Sequence, residues 1–286
     1  MTILTSSSAT MPSRPTWVSL VWTVPFAFLW GWLIFRQPAL VEGGLPAMAA
    51  RIMSIGLIAL GLWLGLESTD LTPPQRRTTW LAIMVPFTLW AAAAWTAAIN
   101  GVFRTGASPL PFLPGAIFLP IIIGMPVLLM SKRIGQVLDA MPTSWLIALQ
   151  LYRILGVQWI AYWARGVLPG LFALPAGIGD ALTGIFAVAV AMAAAAGTKE
   201  GHRAGIAWNI FGLLDFAIAI TLGMLILPGR FQLIIPDVQP AGLDVFPSVL
   251  TPSFVVPSSI LLHALSLRQL HRRAKAEAVN QSAPVS

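Results

Sequence analysis

The sequence contains no cysteine and very little charge. The absence of cysteine from all 286 residues excludes disulfide bonds, thiolate nucleophiles and Cys-ligated zinc or iron–sulfur centres. Charged residues make up only 9% of the chain, against about 25% of an average soluble domain. This shortage of charge excludes a water-soluble globular protein and a disordered chain.

Hydrophobic residues instead make up 57% of the chain, and the mean hydropathy is +0.81. An α-helix needs roughly 20 mostly apolar residues to cross the hydrocarbon core of a bilayer. Eight stretches qualify, at about 16–35, 50–67, 79–99, 112–131, 144–165, 177–197, 205–227 and 253–269. None alternates in polarity as a barrel strand does. We therefore predict an all-α fold: a polytopic integral membrane bundle of about eight transmembrane helices, which forms a single transmembrane domain.

The positions of Lys and Arg predict the orientation of this bundle. With eight spans, eleven of the 17 basic residues lie on the side of both termini, five lie on the opposite side, and Arg153 lies within a span. The positive-inside rule then places both termini in the cytoplasm of a cell whose inner or plasma membrane holds the protein, with 270–286 as a basic tail. The net charge of +7 is thus explained by orientation, and we expect a lipid bilayer and no nucleic acid as partner. Tryptophans near span ends, including Trp159, are typical of an interfacial belt.

Polar residues inside the predicted spans are concentrated in the second half of the chain. The first four helices, within 1–131, contain almost none, so we predict that they are scaffold and that 144–269 is a polar-lined half. Ionisable groups inside a bilayer are costly and normally face the bundle interior or a cavity. We predict a substrate-binding site built from six of these residues: Gln150, Arg153, Asp180, Asn209, Asp215 and His263.

Arg153 requires an acceptor because a guanidinium does not lose its proton in a protein. Asp215, near the middle of its span, is the best candidate partner. Such a pair has two readings: a buried ion pair that only specifies packing, or a pair that lines a substrate cavity.

The segment before Asp180 contains Pro169, Gly170, Pro175, Gly177 and Gly179. This composition predicts an irregular or broken element over much of 169–179. Asp180 would then lie at the start of the following helix, about one turn from the outer surface. It would act there as a cap, or it would form an outer gate or ion site with Arg165.

Gly177-Ile178-Gly179-Asp180 resembles the GxGD string of intramembrane aspartyl proteases, in which two Asp residues share a proton and activate water. The resemblance covers four residues. The remaining features of those families differ, because the other intramembrane Asp, Asp215, follows the string instead of preceding it. No PAL-type motif lies on a later span.

His263 is the one histidine inside a predicted span. A haem with two histidine ligands, or a zinc or iron site, needs more ligands than this, so we predict no metal and no cofactor. His263 is then a hydrogen-bonded structural residue or a proton relay.

Three functions remain open at this point. The polar cluster and the broken link favour a transporter or permease for a small molecule, with Arg153 binding an anion or pairing with Asp215. A non-catalytic accessory or sensor protein is the first alternative, and an intramembrane aspartate-dependent enzyme is the second. Whether the protein is an enzyme stays open, and the sequence favours the functions without catalysis. The oligomeric state also stays open.

Overall fold

The structure is a computed structural model that describes residues 16–37, 45–240 and 242–282. The predicted cytoplasmic N-terminal segment before residue 16 and the last four residues of the predicted basic tail lie outside the described residues. Within the described residues the fold is all-helical, with 80% helix and no strand. The predicted fold class is therefore confirmed at this level.

Ten α-helices follow one another along the described chain. They are α1 (Leu20–Arg36), α2 (Leu45–Glu67), α3 (Pro73–Ile99), α4 (Phe112–Met130), α5 (Lys132–Ala140), α6 (Thr143–Ala148), α7 (Val157–Ala164), α8 (Gly170–Ala195), α9 (Lys199–Ile226) and α10 (Val256–Ser282). A 3-10 segment, Leu149–Gly156, joins α6 to α7, and a π-helical turn, Thr251–Val255, leads into α10.

Six helices are long and apolar enough to cross a membrane. They are Thr16–Arg36, Met48–Glu67, Pro73–Ile99, Phe112–Met130, Gly170–Ala195 and Lys199–Ile226. Each overlaps one of the predicted spans. The other two predicted spans are also helical, but 144–165 changes to 3-10 geometry in its middle. The span 253–269 covers the end of the π-helical turn and the apolar first half of α10, whose second half is polar.

The outer surface of the bundle carries large apolar side chains. Phe28 of α1 is 77% exposed and Met130 of α4 is 80% exposed, and further leucine, isoleucine and phenylalanine side chains point outward beside them. A soluble fold rarely exposes continuous apolar patches of this extent. This surface suits contact with lipid tails, whereas the backbone polar groups are satisfied within the helices.

Helix α8 lies at the centre of the bundle, where it packs against α9, the 3-10 segment, α6, α7 and α1. Small residues permit this packing. A Cβ atom added to Gly184 would overlap the backbone nitrogen of Ile154, and one added to Gly177 would lie 2.6 Å from Ile160 Cγ1. The glycines therefore allow neighbouring backbones to come close.

The predicted irregular element over 169–179 is wrong, because α8 begins at Gly170 and continues through Pro175. Pro169 occupies the N-cap position with extended backbone. Pro175 lies in the second turn, so the hydrogen bond that it lacks is near the end of the helix. The glycines that suggested a break serve helix packing instead.

The segment 143–164 and helix α10 both run the length of the bundle. At one end Gly205 faces Leu270 and Ile147. At the other end Trp159 shares a hydrophobic cluster with Phe172. The chain from Ile147 to Trp159 therefore passes from one end of the bundle to the other.

Helix α10 is fixed at the first of these ends by its polar residues. Arg268 donates to the carbonyl oxygens of Leu128 (2.7 Å) and Ser131 (2.9 Å), and Gln269 donates to those of Leu138 (2.7 Å) and Met141 (2.8 Å). These acceptors lie at the C-terminal ends of α4 and α5, where helix carbonyls lack partners within the helix. Arg273, within the predicted basic tail, also donates to the Met141 carbonyl oxygen at 2.6 Å, so this tail residue contributes to the cap of α5 in addition to any role in orientation.

Candidate functional site

Arg153 is the centre of a buried polar cluster within the bundle. Its side chain is 1% exposed, and its Nε donates to Asp180 Oδ1 at 2.7 Å, while Nη2 forms an ion pair with Asp215. The guanidinium carbon lies 3.8 Å from the centre of the Phe216 ring, which supplies a cation–π contact. The predicted Arg153–Asp215 pair is present, and Asp180 is a second carboxylate on the same guanidinium.

A chain of hydrogen bonds extends the cluster from Arg153 to α10. Arg153 Nη1 lies 3.0 Å from His263 Nε2, and His263 Nδ1 lies 2.8 Å from Asn209 Oδ1. Since a guanidinium can only donate, Nε2 is the acceptor. Nδ1 then carries the hydrogen and donates to the Asn209 carbonyl oxygen, so the imidazole is neutral. Asn209 Nδ2 in turn donates to Ser266 Oγ at 3.0 Å and to the Gly205 carbonyl oxygen at 2.7 Å.

Gln150 lies apart from this chain of hydrogen bonds. Its Nε2 donates to the Ser259 carbonyl oxygen at 3.2 Å, and its Oε1 is buried without a partner. The structure thus joins five of the six predicted site residues in one network, whereas Gln150 contacts the neighbouring turn of α10.

Asp180 and Asp215 lie at the same depth in the bundle, which corrects the prediction that Asp180 lies near the outer surface. The start of α8 and the end of α9 lie at the same end of the bundle. Asp180 comes about ten residues after the start of α8, and Asp215 comes about eleven residues before the end of α9. Both therefore lie roughly 16 Å from this end of the bundle. Asp180 is therefore no helix cap. Its ion-pair partner is Arg153, and not Arg165.

A cavity of about 390 Å³ reaches these two carboxylates from one end of the bundle. Its mouth is formed by the segments 102–114 and 227–231, and its inner wall includes Asp180, Asp215 and Phe216. Most of the remaining wall is apolar or aromatic. Ligand sites typically combine such walls and such a volume with a few polar groups.

A second cavity, of about 80 Å³, adjoins the first. Trp159, Asp180, Phe216, Thr251 and Val256 line both. The second cavity is also lined by Arg51, Tyr152 and Arg153. Three of the six predicted site residues, Arg153, Asp180 and Asp215, thus border these two cavities, whereas Gln150, Asn209 and His263 border neither and are fully buried.

Sequence reasoning missed three contributors to the cavities. Arg51 was counted with the outer loop charges, but it lies inside α2 and is 8% exposed. Tyr152, whose hydroxyl is hydrogen-bonded to Ser259, lies next to Arg153 in the chain. Trp159, assigned to the interfacial belt, is buried and lines both cavities. A signal for Tyr152 was available, because it is one of only two tyrosines in the sequence.

The charges of the cluster do not balance. Two carboxylates, Asp180 and Asp215, share the single guanidinium of Arg153. With both carboxylates ionised, one negative charge stays uncompensated. The Asp180 side chain faces the cavities more than that of Asp215, because it is 17% exposed and the Asp215 side chain is 5% exposed. A cationic group or a proton would complete this arrangement. Among the described residues, no group of three or more His, Asp or Glu side chains is arranged to hold a metal ion.

Within the described residues the protein is an all-helical bundle in which six helices are long and apolar enough to span a membrane. The model of one protein family, described as a domain of unknown function (DUF8737), matches residues 116–271, more than half of the chain. The chain therefore belongs to this family, and the matched region contains all six residues of the predicted site. Comparison with the curated proteins and with the solved structures gives no match.

Proposed function

We propose that this protein is a permease that carries a small molecule through the bundle, with the larger cavity as its substrate site. The observation that carries the proposal is a cavity of about 390 Å³ that leads from the loops at one end to Asp180 and Asp215. Both carboxylates lie roughly halfway across a hydrocarbon core of about 30 Å. Substrate sites of membrane transporters lie at this depth.

The proposal includes eight crossings and two cytoplasmic termini. It is supported by the run of 143–164 from one end of the bundle to the other, and by the excess of Lys and Arg on the side of both termini. The segments 102–114 and 227–231, which form the mouth of the larger cavity, then face the outside. The protein would reside in the inner or plasma membrane.

The Arg153 cluster would close the path on the cytoplasmic side of the substrate. Below the cavity, the hydrogen bonds from Arg153 through His263 to Asn209 join α9 to α10 across the bundle. Substrate release to the cytoplasm would require these contacts to separate. A group that binds Asp180 or Asp215 weakens their hold on Arg153 and so favours that separation.

Transport by purified protein in liposomes tests the proposal. A panel of labelled amines, amino acids, organic acids and sugars should include at least one compound with saturable uptake. Asp180→Asn should lower that uptake at least tenfold, whereas the exposed control Asp70→Asn should leave it unchanged. Correctly folded wild-type protein that moves no member of the panel would contradict the permease and favour the accessory or sensor role.

An intramembrane aspartate-dependent enzyme is the second candidate, because Asp180 and Asp215 contact the same guanidinium and so lie close together. The position of Arg153 argues against it. An aspartyl dyad needs a shared proton and a water molecule between its carboxylates, whereas here each carboxylate is held by Arg153. Cleavage of membrane peptides or lipids by the purified protein, abolished by Asp215→Asn, would support the enzyme.

A further inference from the structure

Arg51 is a buried cation without a counter-charge. It is 8% exposed, its Nη2 donates to Thr251 Oγ1 at 3.0 Å, and its buried Nη1 has no partner in the part of the chain that the structure describes. Among the described residues, no carboxylate forms an ion pair with it. An ionised group inside the bilayer is costly, and such groups normally pair or face an aqueous or ligand cavity. Arg51 lines the smaller cavity, so an anionic group bound there would supply the missing partner.

The smaller cavity is lined both by this cation and by Asp180, the more exposed carboxylate of the Arg153 cluster. Arg51 and Asp180 both line it, yet they form no ion pair with each other. The walls of this space of about 80 Å³ therefore include Arg51, a donor that lacks an anionic partner, and Asp180, a carboxylate whose charge is not fully compensated. Its walls continue into the larger cavity along Trp159 and Phe216.

We propose that the substrate is a small amino-acid-like zwitterion, whose carboxylate binds Arg51, whose ammonium group binds Asp180, and whose apolar body lies in the larger cavity. This inference rests on the proposed function and names its substrate class. An anion alone would satisfy Arg51 but would meet the repulsion of Asp180. A cation alone would satisfy Asp180 but would leave Arg51 unpaired and buried, as it is in the empty protein. A zwitterion compensates both charges at once.

Ligand triplets that share one apolar body test the two charge contacts separately. The first triplet is leucine, 3-methylbutylamine and 4-methylpentanoate, and the second is phenylalanine, 2-phenylethylamine and 3-phenylpropanoate. Calorimetric binding to the purified full chain in lipid nanodiscs should show at least one amino acid binding tenfold or more tightly than its amine and its acid. If in both triplets the amine or the acid binds as tightly as the amino acid, or no compound binds, the inference is overturned.

Variants then assign each charge contact to a residue. Arg51→Gln should reduce the affinity for the amino acid at least to that of its amine, and should not weaken amine binding, which also shows that the variant is folded. Asp180→Asn should reduce the affinity for the amino acid to that of its acid. Arg77→Gln, which removes an exposed arginine, should change neither. Equal losses of amino acid and amine in folded Arg51→Gln would contradict a carboxylate contact.

The outcomes separate this inference from the permease itself. Saturable uptake of a panel compound that is not a zwitterion, without amino-acid binding, would overturn the inference and retain the permease. Amino-acid binding that depends on Arg51 and Asp180, without any flux through reconstituted protein, would retain the site and overturn the permease.

Discussion

Arg153 is the residue on which the buried cluster depends, because among the described residues it is the one cation that pairs with both carboxylates. Its planar fork reaches Asp180, Asp215 and His263 together, which the point charge of a lysine cannot do. Removing it leaves the carboxylates facing each other in a buried site, so its effect is larger than the loss of one hydrogen bond.

We expect Arg153→Leu to lower the free energy of unfolding by about 3–5 kcal/mol, the range measured when one partner of a buried ion pair is removed. Adding Asp215→Asn to this variant should restore part of the loss, since it removes one of the uncompensated charges. Titration of the detergent-solubilised variants with a denaturing surfactant measures the free energy of unfolding of the single and the double variant. Additive losses in the double variant would mean that charge repulsion is not the cause.

The sequence predicted most of this cluster, but it missed Arg51 of the adjoining smaller cavity for a physical reason. Ionisable residues in apolar spans have to meet each other, so Arg153, Asp215 and His263 could be grouped without a structure. Arg51 lies close to the start of its span, where a positive charge is also typical of a loop. The structure shows a buried residue, because Arg51 donates to Thr251 in the π-helical turn before α10. No local sequence pattern reports that contact.

At the scale of the helix, glycines decide how closely α8 approaches its neighbours. Gly184 lies where α8 meets the 3-10 segment, and an added Cβ would overlap the backbone of Ile154. Close helix packing and a broken helix can each place Gly and Pro in a short stretch of sequence. The sequence therefore could not distinguish glycines that permit close packing from glycines that break a helix. The predicted break at 169–179 was wrong for this reason, and the predicted positions of the six long helices were right because run length alone determines them.

Gly184→Ala should therefore lower the free energy of unfolding by about 1–3 kcal/mol, as overpacking of a tight interior does. Gly56→Ala is the matched control, since a Cβ at Gly56 of α2 would meet nothing within 4 Å. It should be neutral or stabilise the fold by up to about 1 kcal/mol, because alanine favours helix more than glycine does. Thermal unfolding of both variants in detergent measures the difference. Equal effects would show that the contact with Ile154 can relax without cost.

The contact between α5 and α10 should depend weakly on pH. The hydrogen bond from Arg272 holds the pKa of Asp139 below its ordinary value of 3.8. The folded state therefore gains stability from this pair at neutral pH and loses it as the pH falls below 3.8.

Because both side chains of this pair are more than one-third exposed, at 40% for Arg272 and 46% for Asp139, the gain is small. Asp139→Asn should lower the free energy of unfolding by less than about 1 kcal/mol at neutral pH. The difference from wild type should shrink on acidification and at high salt. A difference that grows on acidification would contradict the assigned sign. The melting temperature of both proteins across a pH series measures it.

At the scale of the whole molecule, the larger cavity links the proposed topology to the proposed function. The segments 102–114 and 227–231 line the same cavity and so lie at one end of the bundle. They share that end only if the chain passes through the bundle between α5 and α8. The segment 143–164 makes this passage, although its 3-10 middle gives it no single helix as long as a membrane span. A count of long helices alone would give six crossings and would place these two segments on opposite sides of the membrane.

Single cysteines can decide between the two topologies, because the chain has no cysteine of its own and each introduced thiol is the sole label site. With eight crossings, a membrane-impermeant maleimide applied to intact cells should label Ala107→Cys and Arg230→Cys. Asp70→Cys and Glu200→Cys should react only after permeabilisation. All four positions are exposed in the structure, so accessibility depends on the side of the membrane. Labelling of Glu200→Cys together with protection of Arg230→Cys in intact cells would show that 143–164 does not cross the membrane, which would contradict eight crossings and remove the common outer mouth of the cavity.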